Sequence, residues 1–164
     1  MHGVKIPDEE GILSVEEEPK REELEDSYMK YANSKVTPKR SQGSAYRVRG
    51  TKEPFYTLNI ISGSMSVSDL KTASKKYGVT ITEYLNAVLV YALIENQKCS
   101  KVWGEKPVRI AMPVNLRQFF PSKTLRNFIT MVYPGVDPRM GEYSFEEILK
   151  EIHYYMRYHI MRSF

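Results

Sequence analysis

The chain has 164 residues, 41% hydrophobic and 27% charged, with a formal net charge of +4, which gives room for one globular domain and excludes a wholly disordered chain. Its one cysteine, Cys99, excludes an internal disulfide and suits a reducing, cytoplasmic setting. No apolar run nears the ~20 residues of a membrane span, and the acidic N-terminus lacks the apolar region of a secretory signal.

Charge is unevenly spread. Residues 1–26 hold three basic and ten acidic side chains, a net of −7, so the remaining 138 residues carry +11. Such a leader either neutralises the basic body internally or leaves it free to attract an anionic ligand. No base-reading motif accompanies the basic excess, which argues against a nucleic-acid partner.

Residues 1–50 read as an acidic, extended linker or arm, interrupted by Pro7, Gly11, Pro19 and Pro38. Only Glu22–Ala32 has helical spacing there, with Leu24, Tyr28 and Tyr31 on one side. Residues 51–164 are expected to form the domain. Phe55–Ile61, FYTLNII, reads as a strand buried on both faces. Ser66 is a good N-cap for a helix Val67–Tyr77, with Asp69 complementing its dipole and Gly78 at the C′ position. Thr80 to Glu83 forms a capping box. The helix that follows is apolar on nearly every face, with a main stripe of Leu85, Val88, Leu89, Ala92 and Leu93. A helix of that kind is expected to be enclosed on several sides.

After a basic loop with the only tryptophan, Trp103, come two β-like runs, Val108–Val114 and Asn127–Tyr133. Ser144 to Glu147 is a second capping box, opening a helix to about Ile160 with Phe145, Ile148, Leu149, Ile152, Tyr155 and Met156 inward. The order strand, helix, helix, strand, strand, helix predicts an α+β class, a mixed sheet covered by three main helices.

Chemistry-bearing residues are few. There are three histidines, His2, His153 and His159. The last two, six apart, do not share a helix face for metal chelation, and neither has a carboxylate at a spacing that would orient it as a general base. No metal, phosphate-loop or nucleophile-elbow motif is present. The remaining polar set sits at the strand ends: Asn115, Arg117, Asn127 and Thr130. Either these amide, hydroxyl and guanidinium groups hold an acyl or anionic ligand, or Asn115 caps a turn and Arg117 is a surface charge.

The run Val79–Leu89 together with MPVNLRQFFPS (112–122) and LRNFITMVYP (125–134) resembles acyltransferases of the chloramphenicol-acetyltransferase-like fold. That superfamily includes alcohol acetyltransferases, wax ester synthases and the condensation domains of peptide synthetases. FYTLNIISGSMSVSDLKTASKKYGVT (55–80) is similar to their strand-helix segment, and IPDEEGIL with DSYMKYA to the linker after their N-terminal half. The bacterial alcohol acetyltransferase branch looks nearest.

The resemblance implies half of a two-lobed enzyme with a tunnel between the lobes. Acyl-CoA, usually acetyl-CoA, would be a co-substrate and no cofactor would be tightly held. The histidine general base of the family lies in an HHxxxDG motif of the N-terminal lobe, and these 164 residues contain no such motif. The resemblance therefore implies a C-terminal-lobe fragment, incomplete at its C-terminus and inactive alone. Its partners would be the missing N-terminal lobe or a second copy docked on the exposed lobe face. Asn115, Arg117, Asn127 and Thr130 would line the tunnel wall. The competing expectation is a non-catalytic module whose basic surface binds an anionic ligand.

Overall fold

The structure is a computed structural model that describes residues 18–32, 43–100 and 105–162. Readings placed on residues 1–17, 33–42, 101–104 and 163–164, including the opening IPDEEGIL and Trp103, lie outside the described residues, as does the side chain of Ile160. The class is α+β. Among the described residues five α-helices accompany four short strands: α1 Arg21–Leu24, α2 Ser27–Tyr31, α3 Val67–Lys76, α4 Ile81–Cys99, α5 Phe145–Arg162, β1 Val108–Arg109, β2 Met112–Asn115, β3 Ile129–Val132 and β4 Gly135–Val136. Two units emerge, Met1–Thr37 with Asn115–Ile129, and Pro38–Val114 with Thr130–Phe164.

In the larger unit, local sequence signals set the helix ends. Ser66 Oγ accepts from the Asp69 amide to start α3, and Gly78, with φ +69°, ends it in the left-handed conformation that glycine adopts without strain. The chain bends by 83° there and enters α4. Thr80 and Glu83 cap α4 reciprocally, and Ser144 and Glu147 do the same for α5.

Ala87, Val90 and Ile94 of α4 meet Ile148, Leu149, Ile152 and Met156 of α5, with Val108 and Val136 completing the core. Burying each large apolar side chain is worth roughly 1.5–3 kcal/mol, so this helix pair is the main source of stability. The buried stripe of α4 differs from the expected one. Leu85, Val88, Leu89 and Ala92 are exposed, because α5 and the strands cover one face of α4 and nothing described covers the other.

The first β-like run forms β1 and β2, broken once, and the second forms β3 alone, with β4 just beyond its end. β1 pairs with β4 antiparallel, Val108 opposite Val136 and Arg109 opposite Gly135, and β2 pairs with β3. The expected mixed sheet is thus reduced to two two-stranded pairs. Phe55–Ile61 contributes no strand. The Thr57 amide donates to the Pro54 carbonyl at 3.1 Å, and Tyr56 has φ 65°, so the run opens in a turn. Its side chains are exposed, Ile61 fully. An apolar run becomes a strand only where a neighbouring backbone supplies the ladder, and none is present beside it among the described residues.

In the smaller unit, residues expected to be a solvated leader fold onto the 115–129 connection. Tyr28 meets Phe128 edge-on at 5.2 Å between ring centres, and Tyr31 lies 4.7 Å from Phe120. The Tyr28 hydroxyl accepts from the Ile129 amide at 2.8 Å and donates to the Ile129 carbonyl. Part of the acidic leader is neutralised within the unit, where Lys123 Nζ lies 3.0 Å from Glu22.

Candidate functional site

The rim residues separate by role. Asn115 ends β2 and its Oδ1 accepts from the Arg117 amide at 3.1 Å, capping the 3-10 turn Leu116–Gln118. Arg117 reaches back over the connection. Its Nε and Nη2 donate to the Thr124 carbonyl at 3.0 and 2.7 Å, Nη2 also to the Arg126 carbonyl, and Nη1 to Asn115 Oδ1 at 3.3 Å. The planar guanidinium fork therefore closes the loop from 117 to 126 by main-chain contacts, something a single ammonium does not do.

Thr124, which sequence spacing gave no reason to select, is 1% exposed. Its Oγ1 donates to the Glu25 carbonyl at 2.6 Å and accepts from the Arg126 amide at 3.2 Å. Asn127 follows the clamped loop and is exposed. Thr130 is half-buried on β3, in the larger unit. The structure brings Asn115 and Arg117 into direct contact. The hollow beside α1, about 620 Å³ and lined by Arg21, Glu22, Leu24 and Glu25, touches none of the four rim residues.

A second polar centre lies in the larger unit, and local spacing could not reveal it. His153 Nδ1 is 3.0 Å from Glu83 Oε1. Glu83 Oε2 accepts from the Thr80 amide at 2.7 Å and from Thr80 Oγ1 at 2.9 Å. One buried carboxylate thus closes the cap of α4 and orients a histidine on α5. The nearest sequence signal is the capping-box glutamate, a residue type usually exposed, standing on a helix whose same-face neighbours are Ala87 and Val90. His153 opens onto two hollows. One, about 390 Å³, is lined by Tyr77, Gly78, Val79, Glu146, Lys150 and Tyr154 among others. The other, about 360 Å³, is lined by Lys75, Gly78, Thr80, Glu83 and Arg157 among others. Among the described residues no three metal-ligating side chains gather, and no single helix is long and apolar enough to cross a membrane.

No curated protein and no solved structure is a match to the chain. A family model described as alcohol acetyltransferase matches residues 27–133, well over half of the sequence and inclusive of α2 to β3. The chain belongs to the alcohol acetyltransferase family.

Proposed function

We propose that this chain is the C-terminal-lobe portion of an acyl-CoA-dependent O-acetyltransferase, and that it needs a second lobe to act. The match over residues 27–133 carries this reading; it spans the Asn115–Asn127 rim and supports an acyltransferase function with acyl-CoA as co-substrate. In the reaction, a base removes the proton of an acceptor hydroxyl, whose oxygen attacks the thioester carbonyl. The carbon–sulfur bond then breaks, and the departing thiolate takes up the proton. The family's base belongs to an HHxxxDG motif, and none occurs in these 164 residues. Loss of such a base costs about 10²–10⁴-fold in rate.

Asn115 and Arg117 then shape one wall of the acyl site by fixing the loop, and Asn127 and Thr130 offer it polar groups. The exposed stripe Leu85, Val88, Leu89 and Ala92 on α4 supports a covering partner, either that second lobe or another copy of the chain. One exposed, unpaired thiol, Cys99, suits the cytoplasm.

The test is thiol release from acetyl-CoA with a panel of alcohols. The chain alone should release none above background, and addition of an HHxxxDG-bearing lobe should start release. Turnover by the chain alone would overturn the need for a second lobe. A folded mixture that stays silent would overturn the half-enzyme reading.

A further inference from the structure

The hollow between the Gly78 turn, the start of α4 and the outer face of α5 holds an unusual charge arrangement. Its one carboxylate, Glu83, is saturated by Thr80 and His153. Lys75 and Arg157 line the same hollow, and neither forms an ion pair among the described residues. His153 is fixed through Nδ1, so its Nε2 is left without a protein hydrogen bond there. The one hydroxyl group lining the hollow, Thr80 Oγ1, is already bonded to Glu83. An oriented imidazole with no nucleophile of its own and two unpaired cations beside it is suited to an anion.

We propose that this hollow binds a phosphate-bearing ligand, with Lys75 and Arg157 supplying charge and His153 Nε2 the position of a directed hydrogen bond. Glu83 holds the Nδ1 side of the ring, which leaves the Nε2 side for the phosphate. The other charged groups facing the histidine are Lys75 from the end of α3, and Glu146, Lys150 and Arg157 from α5. The phenols of Tyr77 and Tyr154 stand at the adjoining hollow. Apart from Glu83 and Glu146 the charged groups are cationic, so the surroundings favour an anion over a second cation. Of the two ligand sources, a CoA-type nucleotide tail rests on the acyltransferase reading, and a free phosphate does not.

The experiment follows the His153 imidazole nitrogens by NMR while inorganic pyrophosphate, and separately adenosine 3′,5′-bisphosphate, is added at low salt. A saturable change at Nε2 is expected. The K75A/R157A variant should bind at least about tenfold more weakly, as expected for lost charge-assisted contacts. If that variant does not fold, K75Q, at an exposed position, carries the same comparison. Tighter binding of the nucleotide assigns the phosphate to a nucleotide tail, and equal binding to a free phosphate. No saturable change in His153, or unaltered affinity in a folded variant, overturns the proposal. Thiol release plays no part in this readout, so its failure is separable from failure of the acyltransferase reading.

Discussion

Glu83 and His153 are joined by a 3.0 Å hydrogen bond between carboxylate and imidazole across 70 residues of chain. The same carboxylate holds the Thr80 amide, so a local helix start and a helix-to-helix tie share one group. Glu83→Ala removes both and leaves part-buried donors without their partner, at a cost in the lower part of about 1–3 kcal/mol. His153→Ala should cost less, since Thr80 still satisfies one oxygen of Glu83. Urea midpoints of the two variants check the order; equal losses would mean that the tie to His153 accounts for the whole effect.

Arg117 supplies the second prediction. Its guanidinium donates to the Thr124 and Arg126 carbonyls and to Asn115. Arg117→Lys keeps the charge but not the fork, so the loop should open at a local cost of about 1–3 kcal/mol. Limited trypsin digestion should then cut faster after Lys123 and Arg126. Unchanged cutting would show that Thr124 and the Tyr28–Phe128 contact hold the loop without the clamp.

Local signals made part of this legible in sequence. The two capping boxes and the Gly78 terminus stand where spacing placed them, because each is decided within four residues. Phe55–Ile61 failed for the opposite reason: a strand needs a partner backbone, and periodicity contains no information on whether one is near. On α4 nearly every position is apolar, so pattern could not choose between the Leu85–Leu89 face and the Ala87–Ile94 face; the position of α5 chose. The Arg117 clamp and the Glu83–His153 pair were hidden too. One depends on main-chain carbonyls, which carry no residue identity, and the other on two helices meeting.

Acid sensitivity has a defined direction. A side-chain hydrogen bond from Lys123 lowers Glu22, one from Arg139 lowers Asp137, and the Ser144 backbone amide lowers Glu147, each below its ordinary value. A carboxylate depressed in the folded state stabilises it above the unfolded value, and that contribution is lost as pH falls through the folded value. Stability should therefore be flat near neutrality and decline below the ordinary glutamate value of 4.5. Glu147→Gln should make that decline shallower. High salt should weaken the Glu22–Lys123 part and spare the Ser144–Glu147 part. Urea midpoints against pH, at low and high salt, read both effects; an acid slope identical in Glu147→Gln would remove Glu147 from the account.

Tyr28 tests whether the leader is part of the fold. Its hydroxyl both accepts from and donates to the main chain of Ile129, as a paired strand would. Tyr28→Phe keeps the ring against Phe128 and removes only those bonds, at about 0.5–1.5 kcal/mol each. Exchange of the Ile129 amide hydrogen should accelerate while that of Val136, in the other unit, stays unchanged. Equal protection of Ile129 in both proteins would show that the hydroxyl is dispensable.

Gly135 tests the outer strand pair. A Cβ there would lie 2.0 Å from the Val108 carbonyl oxygen and 2.8 Å from the Arg109 Cα. Both are main-chain atoms, so no side-chain rotation relieves the clash. Gly135→Ala must push β4 away from β1, and with it Val136 and Val108, both in the core beside α4 and α5. The expected loss is roughly 3 kcal/mol, the upper part of the range for overpacking. Gly43→Ala, with nothing within 4 Å of its Cβ, should change stability by less than about 0.5 kcal/mol. Hydrogen exchange gives the local reading, because the Ile110 amide donates to the Pro134 carbonyl at 2.9 Å beside the clash. That amide should lose protection in Gly135→Ala. If it does not, the strands have shifted past one another with their ladder intact, and the close approach at Gly135 is not what sets their spacing.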